Sequence, residues 1–142
     1  MSLRIKALDW QKDYIKTAAV FICLMAGRRS GKTEAAMFRM LTRSLGMSGK
    51  RRTLYISPNA SLCHEIFTAI STEPTIFKRI KSLHKQPNRK IVFHDGSEIW
   101  FDMINNCDAN KYRGLKFNDI YLDEIQSITQ TKEQLDAIIT PL

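Results

Sequence analysis

Two short stretches of the chain combine residue types that handle phosphate. The first is Ala26-Gly-Arg-Arg-Ser-Gly-Lys-Thr33. It fits the phosphate-binding loop pattern in the variant that carries Ala for the first Gly. Small residues (Ala26, Gly27, Ser30, Gly31) let backbone N–H groups turn inward around a phosphate, and the helix that follows presents its positive end. In such a loop Lys32 reaches the β- and γ-phosphates of ATP, and the Thr33 hydroxyl holds Mg²⁺. The second stretch is Ile120-Tyr-Leu-Asp-Glu124, an apolar run that ends in two acids. Asp123 at the carboxyl end of a buried strand can hold the Mg²⁺ shell, and Glu124 can orient and deprotonate an attacking water. Either stretch alone also reads as punctuation: a turn in one case, a solvated strand end in the other. Together they point to an ATPase with a catalytic glutamate.

The elements that would carry these residues follow from periodicity. Residues 20–25 form a continuous apolar run directly before the loop and read as a buried, parallel strand. From Gly31 the pattern turns helical, with Ala36, Met37, Met40, Leu41 and Leu45 on one face and Gly46 at the end. Asp9 opens a short helix through Lys16. Residues 53–56 read as a strand, Ser57-Pro58-Asn59 as a turn and helix cap, and Leu62, Ile66, Ala69 and Ile70 as one helical face. Glu73-Pro74 breaks that helix, and a basic amphipathic segment with Phe77, Ile80 and Leu83 follows. Residues 90–94 and 98–103 flank Asp95-Gly96-Ser97, a hairpin signal because Asp-Gly tolerates the positive φ of tight turns. Residues 105–116 are polar and loop-like, and 132–139 read as a helix. Strands alternating with helices predict a single α/β domain over 1–142, with a mostly parallel central sheet flanked by helices.

Composition narrows the class. With 142 residues, 44% hydrophobic and 25% charged, the chain is globular rather than disordered. Its longest apolar run, residues 18–26, is about half of what a membrane span needs. With no signal-peptide core either, the expectation is a protein that is neither exported nor membrane-bound. Cys23, Cys63 and Cys107 form no CxxC pair and the three histidines are scattered, which speaks against a zinc site or disulfide framework. Cys23, inside the apolar run, reads as core. Charge is uneven: residues 1–94 hold 18 basic against 5 acidic, and residues 95–142 hold 4 against 9. Between Pro74 and His94 there is no acid, while Lys78, Arg79, Lys81, Lys85, Arg89 and Lys90 supply six cations. Such a tract is either a solvated face or a binding surface for a polyanion.

In this order of motifs the chain resembles the N-terminal ATPase domain of the large terminase subunit of tailed phages, the DNA-packaging motor. The resemblance rests on the loop and Asp-Glu strand above and on four further segments. Leu8-Asp-Trp-Gln11 is similar to that family's adenine-contacting Gln segment, and Leu54-Tyr-Ile-Ser-Pro58 to its second strand and turn. Asp95-Gly-Ser-Glu-Ile99 is similar to its Asn-Gly-Ser hairpin, and Lys111-Tyr-Arg-Gly114 to its Arg-Gly motif.

The resemblance implies a P-loop NTPase fold of the catalytic-glutamate class. It implies that ATP is bound by Gln11 and by residues 26–33, with an arginine, Arg28 or Arg29, inside the loop. It places Arg113 where these motors keep an arginine that reaches a neighbouring subunit's ATP. Double-stranded DNA, a homo-oligomeric ring, the capsid portal and the small terminase subunit are the implied partners, in the cytoplasm of a bacterial host. Nothing in the chain supplies the family's nuclease domain. Its third motif is also unmatched, since Thr140-Pro141 follows Glu124 by only 16 residues with no full strand between. The expectation is therefore a C-terminally truncated motor domain. Two other readings share the loop. A superfamily 2 helicase-type translocase would normally carry Asp or His where Gln126 stands. A nucleotide-binding assembly module would bind without turnover.

Overall fold

The computed structural model of the chain describes residues 7–20, 22–27, 29–46, 49–85, 89–104, 112 and 114–124. The elements are α1 (Asp9–Lys16), α2 (Lys32–Gly46), β1 (Arg52–Ser57), α3 (Ala60–Thr72), α4 (Pro74–Phe77), β2 (Ile80–His84), β3 (Arg89–Phe93), β4 (Glu98–Met103) and β5 (Asp119–Leu122). They form a mixed α/β domain around one five-stranded sheet of order β2-β3-β4-β1-β5.

The sheet departs from the mostly parallel expectation. β1 runs parallel to both β4 and β5, but β3 is antiparallel to both β2 and β4. The reason is connection length. Asp95-Gly96-Ser97 is too short for the crossover that a parallel pair requires, so β3 and β4 must close as a hairpin. Gly96 takes φ +84° there, and the Asp95 carboxylate accepts the Ser97 N–H at 2.8 Å. The basic amphipathic segment after the Glu73-Pro74 break is a short helix, α4, followed by strand β2.

β1 is buried on both faces, as a strand flanked by parallel neighbours should be. On one face Tyr55 joins Met40 and Leu41 of α2, Ile66, Phe67 and Ile70 of α3, and Ile91, Phe93, Ile99 and Phe101 of the hairpin. On the other, Leu54 and Ile56 pack with Ile104, Tyr112 and Phe117. The Asn59 carboxamide caps α3 by accepting the Leu62 N–H at 2.9 Å, as the turn sequence predicts. The buried face of α3 includes Cys63 and Phe67, while Ala69 is exposed. Arg43 of α2 and Arg51 both bond the Asp119 carboxylate, at 2.6 and 2.9 Å, fixing α2 to the start of β5.

Residues 20 and 22–25 do not form the expected strand. Val20 and Met25 are each 90% exposed, and Cys23 is exposed rather than core. An extended run satisfies its backbone groups only against a partner edge. The nearest edge, β5, lies across a cleft of about 510 Å³ lined by residues of 18–24 and 118–124. Among the described residues, no helix is long and apolar enough to cross a membrane. The predicted helix over 132–139 and Thr140-Pro141 lie outside the described residues.

Candidate functional site

The 26–33 loop runs straight into α2, whose first residue is Lys32. Among the described residues of the loop, Arg29 at φ 59° and Gly31 at φ +84° take left-handed backbone. At Gly31 this geometry has a second consequence: a Cβ there would stand 2.7 Å from the Gln11 side-chain nitrogen. Gln11 is 4% exposed and its carboxamide is engaged at both ends. Its Oε1 accepts the Leu8 N–H at 2.9 Å, closing the first turn of α1, and its Nε2 donates to the Gly31 carbonyl at 3.1 Å. Asp9 is the first residue of α1, as expected, but Leu8 stands at the cap position, and the Asp9 carboxylate pairs with Lys12 at 2.8 Å.

Lys32 extends its ammonium over the loop and donates to the carbonyls of Ala26 and Gly27, at 2.7 and 2.9 Å. The charge is thus held by weak neutral acceptors, which a phosphate would outcompete. Within the same loop the Ser30 hydroxyl is buried without a hydrogen-bond partner. A buried polar atom left unmatched is uncommon and marks a place where a ligand or solvent group completes the set.

β1 and β5 bring the acids to this loop. Asp123, the residue after β5, donates its backbone N–H to the Ile56 carbonyl at 2.9 Å, which prolongs the parallel ladder by one step. Its carboxylate is then fixed from three directions. The Thr33 hydroxyl donates to Oδ2 at 3.1 Å, the Tyr55 hydroxyl to the same oxygen at 2.7 Å, and the Glu124 N–H to Oδ1 at 2.9 Å. Glu124 itself sits at φ 52°, an uncommon conformation for a non-glycine residue, of a kind that clusters at functional sites. Burial pushes the Tyr55 phenol up, and the adjacent Asp123 charge and the hydrogen bond add to it, so Tyr55 stays a proton donor.

The donor set suits a hard divalent cation. The Thr33 proton goes to Asp123, which leaves the hydroxyl's lone pairs available, and both groups offer oxygen, the ligand atom Mg²⁺ prefers. The unmatched Ser30 hydroxyl and the Lys32 ammonium belong to the same loop as Thr33, so these residue types fit a nucleotide phosphate with its metal.

Of the predicted site residues, the structure brings Thr33 and Asp123 together and sets Glu124 beside them. It ties Gln11 to Gly31 and folds Lys32 over Ala26 and Gly27. Arg28 and Arg113 lie outside the described residues. Tyr112, next to Arg113, is buried and donates its hydroxyl to the Asp102 carboxylate.

Two residues escape a reading by sequence. Tyr55 looks like one more apolar strand residue until register is known: it pairs with Tyr121, two residues before Asp123. Arg39 looks like a solvated helix charge but is 4% exposed. Its guanidinium donates to the Tyr14, Ile15 and Thr17 carbonyls and lies 5.3 Å from the Tyr14 ring centroid, locking the end of α1 onto α2. The one signal in the sequence is spacing, since Arg39 lies four residues after the buried Ala35.

The basic tract divides in two. Lys90 lies over the Trp100 ring at 4.8 Å and 3.7 Å from Glu98, and Arg89 lies over the Phe67 ring at 5.7 Å. Lys78, Arg79, Lys81 and Lys85 are exposed, on and beside edge strand β2.

A family model for the N-terminal part of the terminase large subunit, T4likevirus-type, matches residues 23–140. No curated protein and no solved structure matches the chain.

Proposed function

The chain belongs to the family of T4-like terminase large-subunit N-terminal regions, and from that premise we propose that it binds Mg-ATP and hydrolyses it to drive double-stranded DNA into a capsid. Membership by itself points to a role in DNA packaging. The finer reading is carried by one observation: the Thr33 hydroxyl and the Asp123 carboxylate, 90 residues apart in sequence, meet at 3.1 Å. A loop hydroxyl and a strand-end carboxylate have no structural need for each other. Their meeting beside Lys32 supports a shared task.

In this reading Lys32 leaves the Ala26 and Gly27 carbonyls for the β- and γ-phosphate oxygens, while backbone N–H groups of the loop cradle the rest of the chain of phosphates. Thr33 and Asp123 would hold Mg²⁺, which when bound would supply neutralisation of phosphate charge. Glu124 accepts a proton from a water whose oxygen bonds to the γ-phosphorus; the bond from that phosphorus to the β–γ bridging oxygen breaks, and ADP and phosphate leave. Gln11 fixes the Gly31 carbonyl and so the shape of the loop. The family's adenine-contacting role for Gln11 would engage a side chain whose amide is already occupied by Leu8 and Gly31.

Phosphate release measured with and without duplex DNA tests this reading. The expected result is phosphate release by the wild-type chain, faster with DNA and in assemblies, and ATP binding without phosphate release by Glu124→Gln. Binding without release by the wild type under all conditions would favour an assembly module instead. Equal release by Glu124→Gln would move the base elsewhere.

A further inference from the structure

We propose that Tyr55 is the positioning residue for the metal-binding pair Thr33–Asp123: its hydroxyl holds the Asp123 carboxylate in the one orientation that leaves the Thr33 lone pairs facing the cation. The inference rests on the nucleotide reading above and adds to it a residue that neither motif contains.

The argument is geometric. A carboxylate at a strand end rotates about χ2 unless both oxygens are held. At Asp123 the Glu124 N–H holds Oδ1 at 2.9 Å, and two hydroxyls converge on Oδ2. Of these, Tyr55 gives the shorter bond, 2.7 Å against 3.1 Å, and has the more rigid carrier. It projects from β1, a strand paired on both sides, is 0% exposed, and its ring packs 6.0 Å from that of Phe101. Thr33 stands instead at the end of the 26–33 loop, in the first turn of α2, and its place follows that of the loop. If Tyr55 were absent, Thr33 alone would fix Oδ2, and any loop movement would carry the carboxylate with it. With Tyr55 present the carboxylate is anchored to the sheet, and the loop hydroxyl returns to the same place each time. The placement is a matter of register: β1 and β5 pair Tyr55 with Tyr121, so the Tyr55 side chain rises on the α2 face of the sheet toward a carboxylate two residues further along the neighbouring strand.

Groups that orient a metal's ligands from behind change metal affinity by about 10- to 100-fold when removed. Tyr55→Phe removes the hydroxyl and leaves the ring, so the core stays filled. The experiment titrates Mg²⁺ into full-length chain at fixed ATP, and separately titrates ATP in EDTA, with binding read by calorimetry for wild type and Tyr55→Phe. The expected result is a rise of about tenfold or more in the Mg²⁺ concentration at half-saturation, with metal-free ATP affinity changed less than about twofold. A purely structural tyrosine would weaken both titrations alike or neither, and either result overturns the proposal. A wild-type chain that binds no ATP with or without Mg²⁺ refutes the nucleotide reading itself, which is a different outcome. Should Tyr55→Phe fail to fold by circular dichroism, the wild type still decides. A hydroxyl buried on a carboxylate gives a slowly exchanging proton signal by NMR, and the proposal requires that the Tyr55 signal be present and shift when Mg-ATP is added. Its absence, or indifference to Mg-ATP, overturns the assignment.

Discussion

Gly31→Ala is the substitution whose cost can be worked most completely from the geometry. Gly31 holds φ +84°, where an alanine is strained by about 1 kcal/mol relative to glycine. The new Cβ would also stand 2.7 Å from Gln11 Nε2. A flexible surface side chain would swing away, but Gln11 is buried and bonded to Leu8 and to Gly31. Displacing it breaks the bond to the Gly31 carbonyl, about another 1 kcal/mol, and leaves buried polar groups poorly matched. The total is about 2–3 kcal/mol, which in a domain of this size lowers Tm by roughly 6–12 °C. Calorimetric melting of wild type, Gly31→Ala, Gln11→Ala and the double variant separates the two causes. Where Gln11 is already Ala the clash is gone and only backbone strain remains, so Gly31→Ala should cost about 1 kcal/mol there. The cycle therefore predicts a coupling of about 1 kcal/mol or more. Costs that add within about 0.5 kcal/mol would show that the Gln11 amide does not brace the loop.

Arg39→Met keeps most of the buried stem but strips donors from the Tyr14, Ile15 and Thr17 carbonyls. It should lower the unfolding free energy by about 3 kcal/mol in urea titration, and a change below about 0.5 kcal/mol would mean α1 is held by other interactions. Neutralising Lys78, Arg79, Lys81 and Lys85 together should weaken duplex binding for every sequence and flatten the slope of log affinity against log salt by about 0.9 for each phosphate no longer neutralised. Lys90→Gln should leave that slope unchanged, because Lys90 already serves Glu98 and Trp100. Arg113→Ala should spare ATP binding but remove the rise in phosphate release on assembly, and mixing it with Glu124→Gln subunits should restore some turnover. Absence of rescue, with full activity in dilute monomers, would show that Arg113 does not act across an interface; arginines that do are worth on the order of 10³ to 10⁵ in rate.

Much of this architecture is legible in the sequence because it is fixed locally. The Asp95-Gly96 turn, the Asn59 cap, the Glu73-Pro74 break and the period of α2 each follow from residues within a few positions. What depends on distant partners is not legible. The apolar run before the loop has the composition of a strand, but it is not paired with the β5 edge across the cleft, and strand formation needs both. The sheet's direction changes at β3 because two short connections cannot cross over, a consequence that emerges only once β2 is known to be a strand. β2 hides behind a basic amphipathic pattern that suits a helix equally well. In the site, the loop and Asp-Glu pair carry a sequence signature because backbone geometry restricts the residue types. The roles of Tyr55 and Arg39 are not written there: Tyr55 lies in the Leu54–Pro58 segment but acts through strand register, and Arg39, marked only by its spacing from Ala35, acts through the burial of a charge on carbonyls of a separate helix.

The central claim is that the 26–33 loop with Asp123 and Glu124 is a Mg-ATP site, and calorimetric titration of Mg-ATP into wild type and Lys32→Ala tests it most directly. The Lys32 ammonium rests on two loop carbonyls that any phosphate would outbid, so it is free to serve the ligand without disturbing the fold. The account predicts saturable one-site binding by the wild type, with affinity at least about tenfold weaker in Lys32→Ala, a loss of about 1.4 kcal/mol, and an unchanged melting temperature in the absence of nucleotide. Equal affinity in the two proteins, or no binding by the folded wild type, would contradict it.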